Sequence, residues 1–226
     1  MTPEILYKSK NAVVIYKPPT IPSQADVSGG DDALTLTANI LRESGEREEL
    51  YLINRLDRVV GGLMILARNK DAVRKLTDIL SKDSFLKEYF AVVDGVVESG
   101  EMVDWLIKDS TLGKGLVSDA SNPKAKKAML NLQLLDTVTH KGKPKSLVRI
   151  KLKTGRFHQI RVQLSSRGAS LVGDKKYGNK DFNARTPALF AYRLSAILDS
   201  ETIEVKRLPD VDKYPWNLFS AEKYYD

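Results

Sequence analysis

Two segments carry residues whose types and spacing suit chemistry. Asn54-Arg55-Leu56-Asp57-Arg58 places one carboxylate between two guanidinium groups. Further along, Thr154-Gly155-Arg156-Phe157-His158-Gln159-Ile160-Arg161 supplies two more arginines, a histidine and a glutamine. A single acid in a basic, hydrogen-bonding setting fits a nucleophile or general base acting on a polyanion. If the two segments meet in space, they make an active site for RNA. The plainer alternative for Asp57 is an ordinary Arg–Asp surface pair.

Other side chains could serve the same chemistry. Arg55 and Arg58 can contact phosphates through their forked donors. Tyr89 lies in Lys87-Glu88-Tyr89-Phe90, the start of a β-rich run, where a cleft tyrosine could stack on a base. Thr154-Gly155-Arg156 stands where a strand gives way to a helix, a setting in which backbone amides and an arginine can hold a phosphate. His158 and Arg161 are three apart and share a helix face. Lysines gather at Lys124, Lys126 and Lys127, at Lys141, Lys143 and Lys145, and at Lys175 and Lys176. Singly each is a solvated side chain; together they could track a phosphate backbone.

Composition narrows the classes. The chain has 226 residues, 42% of them hydrophobic, enough for one large core or two small ones. Lys+Arg number 36 against 29 Asp+Glu, and the resulting net charge of +7 favours an anionic partner. Cysteine is absent, which excludes disulfides, thiolate nucleophiles, iron–sulfur clusters and cysteine-ligated zinc. The two histidines, His140 and His158, have no metal-ligand spacing, so no metal is expected. There is no P-loop, no dinucleotide fingerprint and no Ser/His/Asp arrangement. The first residues do not read as a signal peptide, and no apolar run approaches a membrane span. The expected location is the cytoplasm.

The positioning elements follow from pattern. Ile5–Tyr7 and Ala12–Tyr16 read as a hairpin, and Ser23–Asp32 as a loop. Asp32 caps a helix over Ala33–Arg42. Tyr51-Leu52-Ile53 and Gly62–Ala67 read as strands on either side of the Asp57 segment. Asn69 caps a helix over Lys70–Lys82 with Ala72, Val73, Leu76, Ile79 and Leu80 on one face. Leu86–Val93 is a strand closed by Asp94-Gly95. The polar stretch 108–127, with Gly113, Gly115 and Asn122-Pro123, reads as one long loop. Ala128–Val138 and Ser146–Leu152 form a hairpin with a basic tip. Phe157–Ser165 has helical spacing and stops at Arg167-Gly168. Gly173–Asp181 is a loop, and Leu189–Leu194 and Thr202–Val205 are late strands. Strands interrupted by about three helices without strict alternation predict an α+β fold.

Taken in order, these segments resemble the RluA-type RNA pseudouridine synthases. The resemblance rests on Ala12-Val-Val-Ile-Tyr-Lys-Pro-Pro, Asn54-Arg-Leu-Asp-Arg-Val-Val-Gly-Gly-Leu, Lys87-Glu-Tyr-Phe-Ala-Val-Val-Asp-Gly, Thr154-Gly-Arg-Phe-His-Gln-Ile-Arg-Val-Gln-Leu, Gly173-Asp-Lys-Lys-Tyr-Gly and Leu189-Phe-Ala-Tyr-Arg-Leu. It implies a central, mostly antiparallel sheet in two halves, with flanking helices and a cleft holding Asp57. The implied reaction isomerises uridine to pseudouridine in structured RNA, ribosomal or transfer, without a cofactor.

The resemblance also implies roles. Asp57 attacks the sugar or removes a sugar proton. Tyr89 stacks on the uracil, and Arg161 pairs with Asp57. Arg55 fills the space left by the extruded nucleotide, and Ile160 lines the uracil pocket. Two departures from the family pattern stand out: Asn54 where His is usual, and Val60-Gly61 where Thr-Ser is usual. The losses predict a looser Asp57 loop and altered RNA choice or rate. One catalytic domain is expected over 1–226, monomeric, with no separate RNA-binding domain in front. The rival expectations are a degenerate synthase that binds or chaperones RNA, and a nucleoside or glycoside hydrolase that would release free uracil.

Overall fold

The computed structural model describes residues 2–26, 29–46, 49–80, 82, 84–178 and 183–225. The chain forms two compact units, one from Met1–Lys87 with Ala191–Arg207 and one from Glu88–Phe190 with Leu208–Asp226. Among the described residues there are eleven strands and three α-helices, the α+β content expected.

The first unit begins with the predicted hairpin, β1 (Glu4–Lys8) and β2 (Ala12–Lys17), paired antiparallel. Next come α1 (Ala33–Glu43), β3 (Tyr51–Leu52), β4 (Gly61–Ala67) and α2 (Lys70–Ile79). Two later strands, β10 (Leu189–Leu198) and β11 (Glu201–Lys206), supply the rest. In sheet order β1, β2, β4 and β10 are neighbours; β3 lies beside β4 and β11 beside β10. Both helix caps are those read from sequence. Asp32 Oδ1 accepts from Thr35 N–H at 2.9 Å, and Asn69 Oδ1 from Ala72 N–H at 2.8 Å. Each satisfies an amide that the first turn leaves without a partner.

One sheet face carries Ala12 and Val14 of β2, Leu63, Ile65 and Ala67 of β4, and Leu194, Ala196 and Leu198 of β10. The two-residue spacing puts them on one side of the pleat. Ala72 and Leu76 of α2 cover them, with Val73, Ile79 and Leu80 partly buried at the edge. The five apolar positions of that helix therefore face the core as predicted. The helix ends at Ile79; Ser81 and Asp83 are outside the described residues.

The second unit is an antiparallel sheet of β5 (Phe85–Asp94), β6 (Gly100–Asp109), β7 (Lys114–Ser118), β8 (Lys126–His140) and β9 (Lys143–Leu152). β5 enters it from the first unit. The order is β5, β9, β8, β6, β7. The short α3 (Gln159–Ser165) packs through Val162 against Leu106 of β6 and Ala128 of β8. The loop expected over 108–127 is corrected here: β6 runs to Asp109, and β7 pairs with it from Lys114↔Asp109 to Ser118↔Trp105. Gly115 is not a turn residue. A Cβ there would lie 2.8 Å from Val162 Cγ2 and 2.9 Å from the Phe157 carbonyl, so it is a point of close approach between strand and helix. Only Gly113, at φ +56, does turn work. Of the loop predicted over Gly173–Asp181, residues 179–181 lie outside the described residues.

Gly62 is constrained twice. Its φ is +130, and a Cβ would lie 2.5 Å from both the amide nitrogen and the carbonyl oxygen of Ala191. Gly62→Ala is therefore expected to destabilise the protein by about 2 kcal/mol or more. Urea unfolding measures this, and an unchanged midpoint would refute the close approach.

Candidate active site

Asp57 sits on an irregular turn ahead of β4, closed by the Val60 amide donating to the Asp57 carbonyl at 2.9 Å. Leu56 and Val60 are buried, Asp57 is half-buried, and Arg55 and Arg58 are exposed. Apolar anchors thus hold the turn while its charges face outward. The turn has no ladder of its own, so its backbone groups need partners from elsewhere. The segment after β2 supplies them. The Ser23 hydroxyl donates to the Leu56 carbonyl at 2.8 Å and accepts from the Leu56 amide at 3.1 Å. Thr20, at φ +80, donates its amide to the Arg58 carbonyl at 2.7 Å and accepts from Arg58 Nε at 3.0 Å. Arg58 also lies 3.7 Å from Asp26. It braces the turn, in addition to any phosphate contact.

Lys17 completes this brace and was not singled out from sequence. It is 0% exposed. Its Nζ donates to the carbonyls of Ile21 at 2.7 Å, Pro18 at 2.9 Å and Arg58 at 3.4 Å. Burial pushes its pKa down to about 7, against the opposing pull of the Asp57 charge.

The two departures from the family pattern are accommodated. Asn54 is buried, and its Oδ1 accepts from the Ile65 amide at 2.8 Å, tying the turn to β4 without a charge. A Cβ at Gly61 would meet Pro19 Cδ at 3.1 Å, so the small residue goes with the adjacent Pro18-Pro19. The loosening expected from the lost hydroxyls is offset by Ser23, Thr20 and Lys17.

In the second unit Arg161 is 4% exposed and forks onto Asp174, Nε to Oδ2 and Nη2 to Oδ1, both at 2.8 Å. Asp174 Oδ1 also accepts from the amides of Lys176 at 3.0 Å and Tyr177 at 3.2 Å. The guanidinium lies 5.0 Å from the Tyr177 ring centroid. A buried charge needs such a complete set of partners. Asp174 was missed, although it stands inside the Gly173–Gly178 motif. The available signal was the need of a buried arginine for a fixed acid.

His158 takes a left-handed conformation, φ +54, so the helix predicted from Phe157 begins at Gln159. Tyr177 Oη accepts from the Gly115 amide at 2.6 Å and is hydrogen-bonded to His158 Nδ1 at 2.7 Å. The phosphate-holding amides expected around Thr154-Gly155-Arg156 are partly committed inward. The Arg156 amide donates to Gln159 Oε1 at 3.0 Å, and the Gln159 amide to the Arg156 carbonyl at 3.0 Å. Arg156 Nε donates to the Lys127 carbonyl at 2.8 Å. Gln159 is a buried joint rather than a surface donor, since its Nε2 donates to Met129 O and Gln163 Oε1.

Ile160 and Tyr89 are both buried, and Tyr89 stands opposite Ile150 of β9. Lys124, Lys126, Lys127, Lys175 and Lys176 are exposed. Lys176 Nζ reaches the Gly113 carbonyl at 2.8 Å, and Lys108 lies 4.9 Å from the Phe157 ring centroid. Arg156, His158, Lys108, Lys127 and Lys176 are thus brought to one neighbourhood. Among the described residues no group of His, Asp and Glu side chains could hold a metal, and no helix is long and apolar enough to cross a membrane.

Asp174→Ala is expected to cost about 3 kcal/mol or more in urea unfolding, because it strips a buried guanidinium of its carboxylate; a loss under about 1 kcal/mol would contradict the fork. Lys17 gives a pH signature. Between about pH 7 and its ordinary value of 10.5 the unfolded chain holds a proton that the native state has shed. Its contribution to stability therefore rises with pH through that window, by at most ~1.4 kcal/mol per unit, and is lowest and constant below it. Subtracting the stability–pH curve of Lys17→Met from that of the native protein isolates this slope; parallel curves would contradict it.

Comparison with known proteins identifies the family and the fold. Residues 11–166 match the family model described as RNA pseudouridylate synthase. An uncharacterized RNA pseudouridine synthase of Zymomonas mobilis is 32% identical over 84% of this chain and 85% of its own length. Ribosomal large subunit pseudouridine synthase C of Rickettsia typhi is 26% identical over 96% of this chain and 69% of its own. Synthase D of Vibrio vulnificus is 30% identical over 82% of this chain, which spans 54% of that relative. Two human structures share the fold. RNA pseudouridylate synthase domain containing 1 has TM-score 0.74 and 24% identity, covering 93% of this chain and 84% of that one. RNA pseudouridylate synthase domain containing 4 has TM-score 0.72 and 25% identity, covering 91% and 88%. With its Asp57 turn and Arg161 segment both inside the matched span, the chain belongs to the RluA-type RNA pseudouridine synthases, a family of RNA-acting isomerases.

Proposed function

We propose that this protein converts uridine to pseudouridine in structured RNA, ribosomal or transfer, with Asp57 as the reacting carboxylate and both compact units acting as one catalytic domain. The reading is carried by the half-buried Asp57 on a turn braced from Ser23, Thr20 and Lys17, within a chain whose residues 11–166 match the family model. In the reaction the N1–C1′ bond breaks, the uracil turns, and a C5–C1′ bond forms as the C5 proton leaves to solvent and N1 takes up a proton in its place. Asp57 attacks the sugar or takes a sugar proton. No bond changes oxidation state, so no redox cofactor is called for.

The remaining residues take supporting roles. The target nucleotide must leave its stack, because the glycosidic bond is unreachable inside a helix. Arg55 is exposed and suited to fill the vacated space. Tyr89 stacks on the uracil beside Ile160. Arg161, already aimed by Asp174, pairs with Asp57. Arg58, Arg156 and His158 contact the substrate strand. Lys124, Lys126, Lys127, Lys175 and Lys176 follow the RNA backbone. The protein acts as a monomer.

Nucleoside analysis of treated RNA tests the reaction. Native protein is expected to produce pseudouridine and no free uracil. Free uracil would indicate a hydrolase, and unchanged nucleosides a protein that only binds RNA. Arg161→Met is expected to reduce turnover at least about a hundredfold, in the range of losing one positioned charge; near-normal turnover would refute the pairing with Asp57. RNA affinity should fall steeply with salt, and Lys126→Ala/Lys127→Ala should reduce the log–log slope by about 1 to 2. An unchanged slope would remove those lysines from the backbone path.

A further inference from the structure

We propose that the sheet face of the second unit turned away from α3, around Trp105, is a platform for an unpaired stretch of the RNA substrate. This deepens the function proposed above and rests on its RNA ligand. Strand alternation divides β6. Leu106 and Asp104 face α3, where Leu106 meets Val162 and Asp104 accepts from Gln163 and Arg167. Val103, Trp105 and Ile107 therefore face the other way. Directly opposite residues of an antiparallel pair share a face. Leu116 of β7, opposite Ile107, and Met129 of β8, opposite Val103, thus join them.

A contiguous apolar face of this kind is usually covered by a partner. Here Val103 is 42% exposed and Leu116 36%, while Trp105, Ile107 and Met129 are only partly buried. Six large hydrophobic side chains are exposed among the described residues. Four of them, Val103, Leu112, Leu116 and Val117, lie on β6, on β7 or on the turn between them. The exposure is therefore concentrated at this edge and is no random scatter.

Charge selects the occupant. Lys127 stands opposite Trp105 on the same face. Lys153 donates its amide to the Met129 carbonyl, and Lys151 stands opposite Asn131 one row further on. The lysines so run alongside the apolar strip. The acids of β6 on this face are Glu101 and Asp109, one at each end of the strip. Asp109 Oδ1 already accepts from the amides of Thr111 and Leu112. A protein partner would bury an interface core, and such cores are depleted of charge. An aromatic ring flanked by cations suits bases on the ring and phosphates on the lysines.

The strip also continues the backbone path proposed above. Lys126, opposite Leu106, lies on the α3 side of β8, and its neighbour Lys127 lies on the Trp105 side. Both are exposed. Lys108 lies over the Phe157 ring on the α3 side, and Lys176 reaches Gly113 nearby. A strand held by Lys108 and Lys176 can pass round the start of β8 at Lys126 and Lys127 and lay its next bases on Trp105.

Binding of an oligouridine of about twenty nucleotides tests the platform. The chain has two tryptophans, and Trp216 is buried, so quenching of emission on binding reads Trp105. Native protein should be quenched. Trp105→Thr should lose the quenching and bind about tenfold more weakly, whereas Trp105→Phe, which keeps a ring, should stay within about threefold. Leu116→Glu places a carboxylate at an exposed position of the strip and should also weaken binding about tenfold. On cellular RNA, Trp105→Thr should raise KM and leave kcat within about twofold, since the platform touches no reacting atom.

Absent quenching in native protein overturns the proposal, as does native affinity in both Trp105→Thr and Leu116→Glu. Self-association that Leu116→Glu abolishes with RNA affinity unchanged also overturns it, because the strip is then a contact between copies. If Trp105→Thr does not fold, native quenching and Leu116→Glu decide. If native protein isomerises no RNA yet oligouridine quenches Trp105, the isomerase reading fails and the platform stands. If turnover is native and KM is unchanged in both variants, the platform fails and the isomerase reading stands.

Discussion

The first unit depends on one constraint: Asp57 must be held on backbone that has no secondary structure. An irregular turn satisfies its amides and carbonyls only if a neighbouring segment supplies the partners. Residues 17–23 do so with three different chemistries. A serine hydroxyl serves both backbone groups of Leu56, a left-handed threonine exchanges bonds with Arg58, and a buried ammonium donates to the carbonyl of Arg58 as well. Each makes sense only with the others. Thr20 adopts its strained conformation at the turn that brings Ser23 under Leu56, and Lys17 tolerates full burial because carbonyls surround its Nζ. Gly61 and Gly62 belong to the same constraint, one leaving space for Pro19 and the other for the Ala191 backbone.

The second unit solves a parallel problem by another route. There the group proposed to act is a cation, and it is fixed by a carboxylate. Asp174 takes two donors from Arg161 and two backbone amides from its own loop, so its orientation is set before substrate arrives. Tyr177 then joins this loop to β7 through Gly115 and to α3 through His158. A fork of this kind leaves the guanidinium rigid. Rigid, pre-aimed charge is what transition-state stabilisation requires, because no reorganisation is then needed during the reaction.

Much of this was legible in the sequence, and the exceptions have physical causes. The caps Asp32 and Asn69 were readable because their side chains act on amides three residues away. β4, β5, β8 and β9 carry apolar runs or alternation strong enough to reveal them. β7 was hidden because Gly115 and Gly113 look alike in sequence. One is a turn, whereas the other makes room for α3. β6 was passed over because polar Glu101, Asp104 and Lys108 interrupt it. Asp57 and Arg161 stood out by residue type and setting. Lys17 and Asp174 did not, since a lysine and an aspartate are usually solvated and only tertiary packing buries them. The departures at Asn54 and Gly61 could be noticed but not weighed without the Ile65 amide and the Pro19 ring.

The central claim is that the braced carboxylate performs the chemistry. The most direct test measures tritium release from C5-labelled RNA, with RNA binding measured alongside, for native protein and Asp57→Ala. The RNA comes from cells lacking the gene. The account predicts equal binding by both proteins and release by the native protein alone. Release by both would show that Asp57 is not the reacting group, and release by neither, despite binding, would leave an RNA-binding protein on the synthase fold.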